Sequence, residues 1–364
     1  MGTVTPMLVV RSDAHLAHDP ATELYHGEEV GIFENPERVA RINAALEASG
    51  RHRFTGPADH GLGPIERVHD PDLVAYLAVA WDDWLAAGGS VSGAIPDSYP
   101  NPAMREGMGP FRPPRTALGR LGYYGWDTAT PLVAGTYGAA RGAVDVALTA
   151  LHAVLGGEPS AYGLCRPPGH HAPRAAFGGY CFFNNAAVAA QAALDAGAGR
   201  VCVLDVDYHH GNGTQQLFYD RGDVLFVSLH ADPDRAYPYF TGWADETGTG
   251  AGSGATRNHV LEQGCDDGTY LAVLERALQD VVSFGPDVLV VSLGVDTVGT
   301  DPIGDLAVTP ALYEPAGALV AGLGVPTVAL QEGGYDLSVI GPCVAGFLQG
   351  LDEGQAQPPP PVRR

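Results

Sequence analysis

Lysine is missing altogether from the 364 residues, and all twenty basic residues are arginine. That omission removes the Schiff-base nucleophile, the anchor for pyridoxal phosphate and the P-loop lysine that reaches a nucleotide's terminal phosphates. Positive charge of any kind is scarce. Forty-two acidic residues leave a formal charge of −22, which repels polyanions and makes nucleic acid a poor partner. The same charge suits either a cationic ligand or a merely solubilising surface. Cysteine is sparse too: Cys165, Cys181, Cys202, Cys265 and Cys343 include no CxxC pair, and four sit among apolar or aromatic neighbours, so they read as buried thiols. No apolar run approaches the roughly 20 residues of a membrane helix, and no signal-like segment opens the chain. The expectation is a cytoplasmic protein in a reducing setting, without a membrane partner.

Short Val- and Leu-rich runs are present throughout, each followed by a turn and an Ala-rich stretch of helical periodicity. This alternation predicts an α/β fold with a parallel sheet. Strands are expected at Met7 to Arg11, Ala161 to Cys165, Val201 to Asp205, Val224 to Leu229, Val288 to Leu293 and Thr327 to Gln331. They lack polar alternation, as strands buried on both faces do. Helices are expected at Pro36 to Ala48, Pro71 to Ala86, Thr136 to Leu155, Asn185 to Ala196, Thr269 to Phe284 and Pro310 to Ala321. No long linker divides the chain, so residues 1–354 read as one domain. Gly88 to Pro114 is dense in Gly, Pro and Met and predicts a long irregular loop near an active-site mouth or a dimer interface. Gln355 to Arg364 reads as a flexible Pro-rich tail.

In open parallel sheets ligands bind beyond the carboxyl ends of the strands, where this chain's polar residues cluster. After the strand at Val201 come Asp205, Asp207 and His209, alternating by two, so two carboxylates and an imidazole share one face if the strand geometry persists. Asn212 can turn back toward them through the flanking glycines. An Asp at a strand end also caps helices, so the spacing alone leaves both roles open. Asp296, just past Leu293, supplies a third candidate ligand. An Asp2His set leaves a coordination position free, as catalytic zinc requires, although its oxygens also suit iron, cobalt or manganese. His170 and His171 follow Arg166-Pro-Pro-Gly169, a rigid turn suited to fixed geometry. A hydrolase needs a base for the attacking water and an acid for the leaving amine, and Asp205 and Asn212 are the natural acceptors for the pair's other ring nitrogens. Tyr335, after Glu332-Gly-Gly334, can aim a phenol at a developing oxyanion.

Arg166-Pro-Pro-Gly-His-His-Ala172, Leu204-Asp-Val-Asp-Tyr-His-His-Gly-Asn-Gly-Thr214, Leu293-Gly-Val-Asp296 and Glu332-Gly-Gly-Tyr335 together resemble the zinc-dependent histone deacetylase superfamily. Thr22 to Glu28, Phe177 to Asn185, Val227 to His230 and Gly242 to Gly252 extend the likeness, which is closest to the bacterial acetylpolyamine amidohydrolase branch. The resemblance implies an arginase–deacetylase fold with an eight-stranded parallel sheet. It implies zinc on Asp207, His209 and Asp296, with His171 as general base and then acid. His170 would be its electrostatic companion, Asp205 and Asn212 their orienting partners, and Tyr335 the carbonyl donor. Gly179, Tyr180, Tyr237 and Asp127 would line the substrate tunnel. A structural potassium would sit at Asp205, Asp207, His209, Ser228 and the Leu229 carbonyl.

The expected activity is removal of acetyl groups from acetylpolyamines or acetyl-lysine side chains, giving acetate and free amine, by a homodimer. One departure concerns the substrate: Leu118 and Ala129 stand where the polyamine enzymes carry acidic residues. Glu106 and Asp127 are the replacements at hand, and Asp127 could instead grip a peptide backbone. Two other readings are a two-manganese ureohydrolase, in which the His-His turn and Tyr335 would have no role, and a non-catalytic binder of acetylated ligands.

Overall fold

Residues 6–355 are described by a computed structural model. Ten strands form among the described residues: β1 (Met7–Val10), β2 (Thr22–Tyr25), β3 (Glu28–Gly31), β4 (His52–Thr55), β5 (Ser160–Gly163), β6 (Val201–Asp205), β7 (Val224–Ala231), β8 (Thr256–Leu261), β9 (Val288–Leu293) and β10 (Thr327–Gln331). Eight of them make one parallel sheet in the order β4-β1-β5-β10-β9-β6-β7-β8, while β2 and β3 pair as an antiparallel ribbon. The alternation of apolar runs and helices therefore yields the expected α/β architecture.

The sheet is covered on both faces, and its side chains divide with period two. Cys202 and Leu204 of β6 join one apolar cluster, with residues of the helices Glu37–Ser49, Asp267–Phe284, Tyr313–Ala321 and Ile340–Gln355. Val201 and Val203 join the other, with the helices Pro71–Ala86, Thr136–Leu155 and Asn185–Asp195. Thr136–Leu155 is long and apolar enough to cross a membrane, a length missed by counting uninterrupted apolar runs. Its apolar residues pack in this second cluster.

Strands β4 and β8 were not expected from sequence. Both are sheet edges and only partly buried, so His52-Arg-Phe-Thr55 and Thr256-Arg-Asn-His-Val-Leu261 carry polar side chains that hide them from a search for apolar runs. Ile340–Gln355 was hidden by its glycines. They serve close packing: a Cβ at Gly350 would lie 2.0 Å from the carbonyl oxygen of Glu314 in the helix Tyr313–Ala321, and one at Gly317 of that facing helix would lie 2.0 Å from the Phe347 carbonyl oxygen. The Gly88–Pro114 stretch is irregular as expected, apart from a 3-10 turn at Pro102–Arg105 and a bridge from Ala94 to Leu132. The Tyr99 hydroxyl donates to the Asp127 carbonyl and ties this stretch to the loops beyond the strands. Of the expected Pro-rich tail, Gln355 ends the last helix, and residues 356–364 lie outside the described residues.

A buried ion cluster joins the N-terminal segment to those loops. Glu34 Oε1 accepts from Arg38 Nη1 at 2.7 Å and from Arg166 Nε at 2.8 Å. Arg38 also donates to the carbonyl oxygens of Glu332 (2.5 Å) and Gly334 (2.6 Å), and Arg166 to that of His15 (2.6 Å). Burial opposes ionisation of Glu34, but the two guanidiniums prevail and hold its carboxyl below the usual range. Removing one member of such a buried cluster strands the other charges. Glu34→Ala is expected to cost roughly 3–5 kcal/mol in urea unfolding, far more than any exposed pair such as Arg67–Asp195.

Candidate active site

The carboxyl ends of β6, β9 and β10 converge. Past β6 the backbone turns so that Asp205 Oδ1 accepts from Asp207 N (3.2 Å) and Asp207 Oδ1 from His209 N (2.9 Å). Asp296, beyond β9, accepts from Tyr208 N at 2.8 Å, and Gly333, beyond β10, donates to Asp207 Oδ2 at 2.7 Å. One ligand atom each from Asp207, His209 and Asp296 lie within 4.8 Å of one another, all three residues buried. His209 Nδ1 is 3.0 Å from Asp296 Oδ2 and 3.3 Å from Asp207 Oδ1. Burial and then the Asp207 charge push the Asp296 carboxyl up, so the set is short of positive charge. Glycines leave room beside it: a Cβ at Gly294 would fall 2.0 Å from Asp207 Oδ2, and one at Gly333 2.2 Å from Asp296 Oδ2. Two hard oxygens and an imidazole, with space retained, fit a divalent cation.

Next to this set, Gly169 N and His170 N donate to Glu332 Oε2 at 2.6 and 3.1 Å, fixing the His-His turn on the end of β10. His170 Nδ1 is 3.0 Å from Asp205 Oδ2, and His171 Nδ1 is 2.7 Å from Asn212 Oδ1. The ring centroids are 3.9 Å apart, yet their environments differ. Burial alone would lower His170, but Asp207 and Asp205 outweigh it and raise it to about 10. Burial, then His170 and His209, hold His171 well below the ordinary imidazole value. A bound cation acts downward on both. His171 is thus a neutral imidazole whose Nε2 is free to take a proton.

Tyr335 is placed by its backbone N–H, which donates to Asp301 Oδ2 at 2.7 Å, and by the Arg38 guanidinium 4.7 Å from its ring centroid. Burial pushes its phenol up, so it stays a neutral donor. His171, His209 and Tyr335 all line one cavity of about 420 Å³. Gly179, Tyr180, Tyr237 and Asp127 line it as well. Asp127 organises this wall: its Oδ2 accepts from Gly179 N at 2.5 Å and from the Tyr237 hydroxyl at 2.6 Å. Tyr237 stacks on Trp126 (5.3 Å, 17°) and stands edge-on to His171 (5.1 Å). Gly179 has φ +60, and a Cβ there would meet the His171 ring at 2.4 Å, so both backbone and space require glycine.

All the expected catalytic, ligand and tunnel residues therefore meet in one place. Of the potassium set, Asp205 and Ser228 are register partners across β6 and β7, and the Ser228 hydroxyl lies 2.8 Å from His230 Nδ1. Ala129 lines the cavity and Leu118 does not; of their two stand-ins, Asp127 lines it, whereas Glu106 is on the exposed stretch away from the lining. Sequence reasoning missed Arg38, Glu332, Asp301 and Trp126. Arg38 carried a signal, an arginine beside Val39 on the buried side of a helix. Asp301 carried none, because its role depends on a contact across 34 positions.

Residues 32–351 match the histone deacetylase domain family. Acetylpolyamine amidohydrolase 2 of Pseudomonas aeruginosa is 44% identical over 346 residues, covering 95% of this chain and 99% of the relative. The acetylpolyamine amidohydrolase of Mycoplana ramosa is 44% identical over 345 residues, with the same coverage. A crystal structure of acetylpolyamine aminohydrolase from Burkholderia pseudomallei superposes with a TM-score of 0.89 at 37% identity, covering 96% of this chain and 99% of that one.

The cradle around the two carboxylates can be tested directly. Gly333→Ala, which forces a Cβ against Asp296 and Asp207, is expected to weaken divalent-metal affinity about 10–100-fold, read by competitive chelation with circular dichroism unchanged.

Proposed function

Since the chain belongs to the histone deacetylase family, within its acetylpolyamine amidohydrolase branch, we propose that it deacetylates acetylated amines with one zinc ion held by Asp207, His209 and Asp296. The observation that carries this reading is the meeting of that ligand set with His171 and Tyr335 at one cavity. Zinc there supplies Lewis acidity to the acetyl carbonyl and to the attacking water. His171, its Nδ1 held by Asn212, takes the water's proton at Nε2 and returns it to the departing amine as the amide C–N bond breaks. His170, held by Asp205, is its electrostatic companion. The Tyr335 phenol donates to the acetyl oxygen as charge develops there. Acetate and a free amine leave.

Acetylated polyamines are the preferred substrate class, supported by the relatives' names, the charge of −22 and the carboxylate of Asp127 in the cavity wall. Acetyl-lysine is the second reading, and there Asp127 would grip the peptide backbone. Potassium is assigned to Asp205, Asp207, His209, Ser228 and the Leu229 carbonyl; the pairing of Asp205 with Ser228 supports it. A homodimer formed through the stretch at 88–114 would cover its exposed Val91, Met104 and Met108. The five buried, unpaired cysteines suit a reducing compartment. A two-manganese ureohydrolase is disfavoured because His171 and Tyr335, which line the same cavity as the ligand His209, would have no role in it.

Tyr335→Phe is expected to keep its metal and lose turnover by ~10²–10³, the usual cost of one oxyanion donor. Asp296→Ala is expected to lose the metal itself, measured as zinc per chain; full zinc in that variant would refute the ligand assignment. Parallel assays on acetylputrescine, acetylspermidine and an acetyl-lysine peptide separate the substrates. A large preference for the peptide would overturn the polyamine reading, and a zinc-loaded protein inert toward all three would leave a binder.

A further inference from the structure

Among the ribbon residues 22–25 and 28–31, one side chain is buried, and it is a glutamate. Glu23 is 0% exposed, although a ribbon lying on a protein surface ordinarily turns an apolar residue inward. Its Oε1 accepts from the Tyr180 hydroxyl at 2.9 Å, and its Oε2 has no partner. Tyr180 lines the cavity with its ring centroid 5.7 Å from that of Tyr335, and Leu24, the next residue along, lines it as well. A carboxyl is thus fixed one layer behind the wall of the tunnel, in a setting where an unpaired polar oxygen is costly. The catalytic steps assigned above do not use it.

Two consequences follow from this placement. The single phenolic hydrogen of Tyr180 is committed to Glu23, so the Tyr180 oxygen is left able to accept but not to donate. A carboxyl in a poorly solvated wall also acts on a charge in the tunnel with little screening, unlike the acidic residues of the outer surface. We infer that Glu23, acting through Tyr180, is a positioning residue that makes the tunnel select acyl amines bearing a second, protonated nitrogen over neutral acyl amines of equal length. This rests on the deacetylase reading and adds the residue that sets its preference. The groups bearing on Glu23 are the Tyr180 and Tyr25 hydroxyls, the Asp127 and Glu34 carboxyls and the Phe33 backbone. Burial, reinforced by Asp127 and Glu34 and opposed by the Tyr180 hydrogen bond, raises its carboxyl to about 8. It is neutral below that pH and anionic above it, so a cation in the tunnel binds more tightly as pH rises through about 8, while a neutral ligand is indifferent.

The test compares acetylputrescine, which ends in an ammonium, with N-pentylacetamide, which ends in a methyl group. The KM of the first and the competitive inhibition constant of the second are measured for the zinc-loaded wild type, Glu23→Gln and Tyr180→Phe. Glu23→Gln keeps the shape and the acceptor oxygen while removing the charge. At pH 9, where Glu23 is anionic, it is expected to shift the ratio of the two constants about tenfold against the cation, and it is expected to flatten the ratio's pH profile between about 7 and 9. Tyr180→Phe is expected to shift the ratio in the same direction. A ratio that stays at its wild-type value in Glu23→Gln at pH 9, whether both constants move together or neither moves, would overturn the proposal and leave Glu23 a structural residue. Absence of acetylputrescine hydrolysis by the zinc-loaded wild type would instead overturn the deacetylase reading beneath it.

Discussion

Four carboxyl groups, Asp205, Asp207, Asp296 and Glu332, are wholly buried at the ends of three adjacent strands, and most of the surrounding architecture makes that burial tolerable. An isolated carboxylate in such a place would cost several kcal/mol. Here each is met by donors that the strand ends themselves supply. Asp207 receives the N–H groups of His209 and Gly333, Asp296 that of Tyr208, and Glu332 those of Gly169 and His170. Asp205 receives Asp207 N and the His170 ring. What the backbone does not provide is net positive charge between Asp207 and Asp296, a deficit that a divalent cation would meet. Metal binding there would therefore be coupled to correct loop geometry, since the same hydrogen bonds set both.

The side chains proposed as catalytic depend on groups further out. Arg38, balanced by Glu34, grips the carbonyls of Glu332 and Gly334 and lies against Tyr335, so one ion cluster fixes the backbone on both sides of Gly333 and the ring beyond it. Asp301 adds the last constraint by holding Tyr335 N. In the cavity wall a single carboxylate, Asp127, holds both the left-handed turn at Gly179 and the hydroxyl of Tyr237. Rigid placement of this kind is what hydrolysis needs, because a donor or base displaced by an ångström loses much of its effect.

How much of this could be read from sequence follows from the range of the interactions. The six buried strands at Met7, Ala161, Val201, Val224, Val288 and Thr327 declare themselves through unbroken apolar runs, and the site residues through motifs no longer than about a dozen positions. Edge strands β4 and β8 do not, since a half-solvated strand tolerates Arg53, Arg257 and His259. Ile340–Gln355 was invisible because helix propensity penalises glycines that tertiary packing demands. Arg38, Asp301 and Glu332 act through contacts spanning 34 to almost 300 positions, and their neighbours in sequence say nothing of their partners in space.

The charge of the whole chain, the first thing seen in the sequence, plays a narrower part than its size suggests. Of the arginines, Arg38 and Arg166 are committed to Glu34 inside the protein, and others, such as Arg41, Arg51 and Arg67, form exposed pairs of small worth. The acidic excess therefore sits mostly on the surface, where physiological salt screens it within about 8 Å. A field of that range can draw a cationic amine toward the cavity but cannot tell a diamine from a monoamine once its acetyl group has reached the strand ends. Discrimination has to come from charges that solvent does not reach. The excess of acidic residues over arginine fixes the sign of the approach, and on the proposal above enclosed carboxyl groups such as Glu23 would decide what stays.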